Sequence, residues 1–589
     1  MNLTAALLDL RLRDWTALGI LIGVIMGFAE ALAWLLAQNL GVPQMLWAAP
    51  LVDCTLSVVL LLIGALLARA FQRPAICWIS AYISCLMLYT PLRVVFSEPK
   101  WKLPVMGCAI VLAVPFAYEF VRLAVSRRTL YLKSALVGVG VVLILVCATE
   151  IRLDGFEAVS SASTATGYKN VLIIVVDTLR ADHLSLAGFP RDTTPHLDHF
   201  AAGGAIFDTA ISASSWTLPA HASLLTGRYP REHRTTLARD RLPKDIPIVS
   251  EWFSQHGYRT AAFSGNPLFF SRRTGFGRGF EVFEDTYPPL ASLLLSTVAG
   301  QQWRIMAHRT HLSSNLLGRS SAEDINRQSL AWIERDARPF FAVLNYFDVH
   351  DPYVPPPQYR NRYGAVRFRL GAVGTSFNEF PQLTDAQEQQ EIAMYDAAIS
   401  YTDDQIHLLL SELEQRGILR NTVVVITSDH GEEFTEHGFS THANALYTEL
   451  IHVPLIIVAP GEVPPATRIA TPVSLTHIPA TVIDLATGQN SHDYLQRSLA
   501  TLWRDPKTNS DWPPAISELA KLDTCEYFPN YSQSFRSVTT GEWHYIVGSK
   551  GGEELFRVSS DPTNAVNLAS SASPDVIAGL RKMLESATQ

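Results

Sequence analysis

Hydrophobic positions along the chain fall into two regimes. Over the first quarter they run together with few polar breaks, and five stretches stand out: Ala17–Ala37, Leu46–Ala68, Ala75–Pro91, Leu103–Val121 and Tyr131–Thr149. Each is near the ~20 residues a helix needs to cross hydrocarbon. Beyond residue 168 the apolar runs shorten and become β-branched: VLIIVV (Val171–Val176), FFAVLNYF (Phe340–Phe347), TVVVITS (Thr422–Ser428) and VPLIIVAP (Val453–Pro460). Such runs are typical of strands buried on both faces of a parallel sheet. Helical patterns alternate with them over Ala322–Arg335 and over Ala386–Arg416, the latter stopped by Gly417. Strand and helix in alternation predict an α/β domain with a mainly parallel central sheet.

After about residue 510 the pattern turns to short alternating segments, SVTTGEWHYIVG and EELFRVS, followed by a helix near Pro574–Leu584. These predict a small antiparallel C-terminal subdomain. The expected organisation is a transmembrane region over residues 1–149, a linker over 150–168, a catalytic domain over 169–509 and the C-terminal subdomain over 510–589. Leu290–Arg319 lacks strand character and reads as an insertion.

Charge then orients the first region. Arg11 and Arg13 precede the first apolar stretch, Arg69 and Arg73 follow the second, and Arg122, Arg127, Arg128 and Lys133 follow the fourth. The excess of basic residues on cytoplasmic loops places the N-terminus in the cytoplasm and everything past residue 150 outside, in an inner, multi-pass membrane protein. The loop with Arg93, Lys100 and Lys102 is an exception. Glu30, Asp53 and Glu119 fall within the apolar stretches, where ionisable groups are costly, and read as facing neighbouring helices. Net charge is -8, with no basic stripe, so nucleic acid is not an expected partner. Of six cysteines only Cys525 lies outside the apolar stretches, which excludes a disulfide framework in the external part.

Candidate chemistry sits at strand ends, where open α/β sheets bind ligands. VLIIVV delivers Asp177, and TVVVITS delivers Asp429, His430 and Gly431. Two carboxylates and an imidazole there fit a divalent metal, against the plainer reading of a helix cap and a turn. Thr217 in SSWTLPAHASLLTG has two readings as well. It is a good N-cap two residues before Pro219. It is also a hydroxyl at a helix start, where a phosphate or sulfate is favoured, and next to a metal it becomes an activated nucleophile.

The stretch from VLIIVVDTLRADHLS to SSWTLPAHASLLTGRYP resembles the opening of the sulfatase family of the alkaline-phosphatase superfamily. GYRTAAFSGN, PFFAVLNYFDVHDPY, YDAAISYTDDQI, SDHGEEFTEHGFSTHANALYTELIHVPLII and ELFRVSSDPTNAVNLA follow in the family's order, over roughly residues 169 to 570. The resemblance implies Asp177, Asp429 and His430 as metal ligands, with Thr217 at the nucleophile position and close to the metal. It implies His350 and His442 as catalytic groups near the substrate anion or leaving group. His221, Asn266 and His437 are placed with substrate binding.

Departures from the family pattern change the expected reaction. The family has Cys or Ser, then any residue, Pro, any residue and Arg, the Cys or Ser being oxidised to a formylglycine. Here Thr217 cannot give that aldehyde, and His221 replaces the arginine. SGNPLF replaces the Gly-Lys-Trp-His run, so its lysine is missing. Thr178 replaces the second aspartate of the Asp-Asp pair. Two carboxylates, a threonine oxygen and a histidine suit Mn²⁺ or Zn²⁺ better than Ca²⁺ or Mg²⁺. No organic cofactor is expected.

The expected function is a membrane-anchored, metal-dependent phosphoryl transferase, phosphodiesterase or phosphatase. In architecture the chain looks like the phosphoethanolamine and phosphoglycerol (lipoteichoic-acid-synthase-like) transferases. That likeness implies the lipid bilayer as partner, a phospholipid head-group donor and a glycan or lipid acceptor. A sulfuric-ester hydrolase using Thr217 is the alternative, and a non-catalytic membrane sensor or assembly protein a lesser one.

Overall fold

The computed structural model describes mainly residues 14–25, 45–71, 75–85, 167–237, 240–285, 320–364, 384–489, 496–505, 511–521 and 532–587. The chain divides into two compact units, one of Met1–Ala158 with Tyr287–Gly318 and one of Val159–Thr286 with Arg319–Gln589.

In the first unit, helices α1 (Met45–Ala70) and α2 (Ala75–Cys85) are described. Within α1, Asp53–Ala70 is long and apolar enough to cross a membrane, and it is the one such helix among the described residues. Among the described residues one helix, rather than five, has sufficient length, so a five-span region is not supported. Asp14–Ile25, overlapping the start of the first expected stretch, is a shorter apolar helix. The stretches Leu103–Val121 and Tyr131–Thr149, save isolated positions, lie outside the described residues, as do all of Leu290–Arg319 and most of the linker.

The second unit is built on an eight-stranded sheet. Its strands in chain order are β1 (Asn170–Val176), β2 (Ala205–Phe207), β3 (Arg259–Ser264), β4 (Val282–Glu284), β5 (Phe340–Tyr346), β6 (Thr422–Thr427), β7 (Leu455–Val458) and β8 (Thr467–Ile469). Across the sheet they run β8-β2-β7-β6-β1-β5-β3-β4. β6, β1, β5, β3 and β4 are mutually parallel. β7 is antiparallel to both β6 and β2. The sheet is thus mainly parallel, as the β-branched runs predict, with one reversal. The run Val453–Pro460 has the same apolar composition as its parallel neighbours, so composition carries no sign of strand direction.

β1 explains why the sheet needs both faces covered. Val171, Ile173 and Val175 pack into one apolar cluster and Leu172, Ile174 and Val176 into another, all fully buried. At about 1.5–3 kcal/mol for each large aliphatic side chain removed from water, this strand holds the two layers together. Helices α3 (Pro195–Ala201), α4 (Thr217–Thr226), α5 (Ala322–Ile333) and α6 (Asp385–Gln415) belong to the same unit. α5 and α6 begin with capping boxes, at Ser321 with Asp324 and at Thr384 with Gln387, and lie within a residue or two of their sequence-predicted bounds.

The C-terminal segments form an antiparallel four-stranded sheet, β9 (Ala515–Leu519), β10 (Phe535–Thr539), β11 (Trp543–Gly548) and β12 (Glu553–Arg557), with helix α7 (Pro574–Ala587). Leu580 and Leu584 of α7 join Ile516, Val538, Tyr545 and Leu555 in one small core.

Candidate active site and metal centre

Register alone assembles the centre. β1 pairs β6 with Val175 opposite Thr427, so the residues two further on, Asp177 and Asp429, leave adjacent parallel strands at the same level. β1 pairs β5 with Val175 opposite Asn345, and Asn345 is opposite Ser264 of β3, two residues before Asn266. Four neighbouring strands therefore deliver Asp429, Asp177, Asn345 and Asn266 to the carboxyl edge of the sheet, where α/β folds keep their ligand sites.

The turn after β1 is shaped by Thr178, which adopts φ 62°. That left-handed conformation costs a non-glycine residue about 1 kcal/mol or more. Local bonds hold it. Thr178 Oγ1 donates to Asp177 O at 2.7 Å and is 3.1 Å from Val349 O, its N–H donates to Asp429 Oδ1 at 3.3 Å, and its carbonyl accepts from Tyr395 at 2.7 Å. After β6, Gly431 is required by close approach. A Cβ there would come within 1.9 Å of Glu449 O.

Thr217 is not the N-cap that its sequence permits. Helix α4 starts at Thr217 itself, the preceding Trp216 is the extended N-cap residue, and no side chain caps the end. The Thr217 hydroxyl is turned elsewhere, 3.2 Å from His430 Nε2 and 3.5 Å from Asn266 Nδ2. His430 Nδ1 is 2.9 Å from the Gly431 carbonyl and must be the protonated nitrogen, so Nε2 carries the lone pair facing Thr217.

Asp177, Asp429 and His430 place one donor atom each within 4.8 Å of one another, all fully buried. Asp177 Oδ2 accepts from Asn266 Nδ2 at 3.0 Å and from Asn345 Nδ2 at 3.5 Å, while Asp177 Oδ1 accepts no hydrogen bond. Asp429 Oδ2 lies 3.3 Å from both His221 Nδ1 and His430 Nε2, neither aligned as a hydrogen bond, and accepts none. Buried carboxylate oxygens left without a hydrogen bond are expensive unless a cation serves them. Together with an imidazole lone pair and a hydroxyl, they fit a divalent metal.

Electrostatics agree. Burial and the adjacent Asp429 charge push the Asp177 carboxyl up to about 7, with His221 pulling it down. Against its burial, Asp429 is held well below the usual carboxylate range by His430 and His221. Burial lowers the His430 imidazole to about 4, keeping it neutral as a ligand must be.

The remaining predicted residues fall into three positions. His221 lies directly behind the centre. Its Nδ1 is 3.1 Å from Thr217 O, its Nε2 is 3.4 Å from Asn345 Nδ2, and its ring stacks on Phe270 at 4.6 Å. His442 and His350 line the front. The His442 ring is 4.5 Å from that of His430 and 5.0 Å from that of His350. His442 Nδ1 pairs with Glu432 Oε1 at 2.9 Å; burial works against protonation, but Glu432 raises the imidazole above its ordinary value. His437 stands apart. Its Nε2 is 3.3 Å from Glu449 Oε2, its ring stacks on Tyr447 at 3.7 Å, and among the described contacts none joins it to Thr217, His430 or either aspartate.

Two residues at the centre escape the sequence reading. Asn345 hides in the apolar run FFAVLNYF, where one amide in a fully buried strand is the available signal. Glu432, buried beside His442, hides in the acidic pair of DHGEEF, where nothing in the sequence marks it as buried.

Comparison with known proteins agrees with this geometry. The Sulfatase family profile matches residues 169–488. An ulvan-active sulfatase of Formosa agariphila is 26% identical over 412 residues, covering 68% of this chain and 76% of that protein. A delta 4,5-hexuronate-2-O-sulfatase of Bacteroides thetaiotaomicron is 25% identical, covering 70% of this chain and 87% of that one. Among solved structures, a phosphonate monoester hydrolase from Silicibacter pomeroyi superimposes with a TM-score of 0.55 at 22% identity, over 71% of this chain and 94% of that chain. With its mainly parallel sheet, strand-end carboxylates and family-wide match, the chain belongs to the sulfatase family, hydrolases of the alkaline-phosphatase superfamily that use a divalent metal ion.

Proposed function

We propose that the protein is a membrane-tethered hydrolase or transferase of phosphate esters with Thr217 as its nucleophile. The observation that carries the reading is the Thr217 hydroxyl itself: buried, unused as a helix cap, and 3.2 Å from the His430 lone pair. A threonine cannot become the aldehyde that serves sulfate-ester hydrolysis in the family. Its oxygen can attack phosphorus directly.

Asp177, Asp429, His430 and Thr217 would hold the metal, Mn²⁺ or Zn²⁺ suiting this donor set best. When bound, it supplies Lewis-acid stabilisation of negative oxygen and lowers the pKa of a coordinated hydroxyl. With the metal held, Thr217 would have released its hydroxyl proton to solvent; in the first step its Oγ1 alkoxide forms a bond to phosphorus and the ester P–O bond breaks. His442, whose proton affinity Glu432 raises against burial, or His350 gives its proton to the departing alkoxide, so the alcohol leaves neutral. In the second step water or a second alcohol attacks phosphorus and gives its proton to the imidazole, while the P–Oγ1 bond breaks and Thr217 leaves as the alkoxide that began the cycle. Asn266, bonded to both Asp177 and Thr217, fixes the nucleophile relative to the carboxylates.

The apolar N-terminal stretches, with α1 long enough to span, support a tether that holds the domain on the extracytoplasmic face, in the periplasm. A phospholipid head group is then the donor within reach, and a glycan or lipid the acceptor. The test is peptide mass mapping after incubation with phospholipid vesicles, alongside turnover of aryl phosphodiesters and aryl sulfates. A head-group adduct on Thr217 and turnover of the phosphodiester are expected. Turnover of the sulfate alone would overturn the reading in favour of a sulfuric-ester hydrolase, the activity named for most of the relatives.

A further inference from the structure

The stretch YDAAISYTDDQI, residues 395–406 of α6, supplies no ligand to the Asp177 centre, yet it holds the segment that leaves β1 at three points. Asp403 accepts the backbone N–H groups of His196 at 3.0 Å and Leu197 at 2.8 Å, and Asp396 pairs with His183 Nδ1 at 2.7 Å and with Arg191. Tyr395 is the third, and it stands beside the metal ligands. Its hydroxyl accepts the Arg180 N–H at 2.9 Å and donates to the Thr178 carbonyl at 2.7 Å, so one oxygen bridges the turn that begins at Asp177. Burial holds this phenol well above its ordinary value, which keeps the O–H that the double role needs. The ring meets Tyr353, three residues past His350, edge-on at 5.3 Å, and Phe434, four residues past His430, edge-on at 5.0 Å. Turns from three strands therefore converge on one side chain.

From this placement we infer that Tyr395 is a positioning residue for the metal centre, its hydroxyl locking the turn after β1 so that Asp177 and Asp429 present their oxygens together. The inference rests on the reading that Asp177, Asp429 and His430 hold the metal. Thr178 sits at φ 62°, a conformation that persists in a non-glycine residue only where surrounding bonds over-determine it. It is joined to Asp177, and its N–H donates to Asp429 Oδ1 at 3.3 Å, so its backbone touches both carboxylates. Arg180, whose N–H the phenol accepts, sends its guanidinium to the Glu432 carbonyl at 3.1 Å and to Glu436, on the loop that follows His430. Among the described contacts neither the Thr178 carbonyl nor the Arg180 N–H has another hydrogen-bond partner, and both residues are buried. Without the phenol oxygen two buried backbone groups are left unpaired, which is costly. Any movement of the turn that relieves them shifts the Thr178 N–H from Asp429 and displaces Asp177. Tyr395 thus acts on the metal through its ligands, without touching it.

Competition for Zn²⁺ between the full chain and a chromogenic chelator tests this, in the wild type, Tyr395→Phe, Tyr258→Phe and Asp177→Asn, with the metal-free melting temperature of each measured alongside. Tyr395→Phe keeps the ring and its edge contacts and removes the bridging oxygen alone. Tyr258→Phe is the matched control. It also loses a phenol bond from a buried ring, to the Lys169 carbonyl at 3.0 Å, but at the opposite end of β1. Tyr395→Phe should bind Zn²⁺ about tenfold more weakly, the effect of an outer-shell partner. Tyr258→Phe should bind as the wild type does, whatever its melting temperature, and Asp177→Asn should bind more weakly than either. The inference is overturned if Tyr395→Phe holds Zn²⁺ as tightly as the wild type, or if Tyr258→Phe loses as much affinity. It is also overturned if Tyr395→Phe fails to fold, since the hydroxyl then serves the fold and not the centre. Wild-type affinity in Asp177→Asn is a different failure: the metal reading itself falls, and the inference with it.

Discussion

The hydroxyl of Thr217 lies 3.2 Å from Nε2 of His430, and Nδ1 of His430 is spent on the Gly431 carbonyl. Because of this pair, replacing the threonine should separate chemistry from stability. Loss of a nucleophile removes about 10³-fold or more of kcat/KM. Loss of an N-cap hydroxyl costs about 1 kcal/mol, but Thr217 caps nothing. Thr217→Ala should therefore be inactive with a nearly unchanged melting temperature, and Thr217→Ser should keep part of the activity. A large melting-point drop in Thr217→Ala would show that the hydroxyl serves the helix after all.

His221 touches the Thr217 carbonyl and approaches Asp429 Oδ2 from behind the metal ligands. Groups that orient ligands in this way contribute about 10–100-fold to metal affinity. His221→Ala should weaken metal retention by that factor in a chelator competition. Equal retention by variant and wild type would mean that Asp429 is held by its other partners, the N–H groups of Thr178 and His430.

Much of this centre is legible in the sequence because strand register makes it so. Asp177 and Asp429 each end a recognisable β-branched run, and parallel pairing brings such ends together. Asn345 is not legible for the converse reason: it lies inside a run, and what places it at the centre is its neighbour strand, not its own flanks. The direction of β7 is hidden in the same way, since Leu455–Val458 buries both faces whichever way it runs. Thr217 shows a subtler limit. Its sequence context is a good cap, and only the backbone, with Trp216 taking the cap position, frees the hydroxyl for other work.

Gly431 offers a test of how tightly the turn after β6 is packed. The Cβ of an alanine would meet Glu449 O at 1.9 Å, which backbone on either side cannot accommodate without moving His430. Overpacking at a buried site costs about 1–3 kcal/mol. Gly431→Ala should melt earlier than the wild type and bind metal more weakly, both effects arising from one displacement. An unchanged melting curve would contradict the close approach.

Acid stability should be set in part by His544, far from the metal ligands in sequence and in a different sheet. Its Nδ1 is 2.9 Å from Asn564 Oδ1, and that oxygen also accepts from the N–H and hydroxyl of Thr448, so His544 Nδ1 carries the proton. Nε2 is then the basic nitrogen, and it is buried with no hydrogen-bond partner. Burial accordingly lowers this imidazole to about 4, below its ordinary 6.5. An unfolded chain takes up the proton near pH 6.5 and the folded one only near pH 4. The contribution is fully present above 6.5 and declines as the pH falls toward 4, by about 2 kcal/mol between pH 7 and 5 and roughly 3 kcal/mol in all. His544→Gln keeps a donor for Asn564 and removes the titration. Denaturant unfolding at pH 7 and pH 5 should show a smaller loss of stability for the variant by about 2 kcal/mol. If both proteins lose the same amount, acid sensitivity arises elsewhere, for instance at the similarly buried His477.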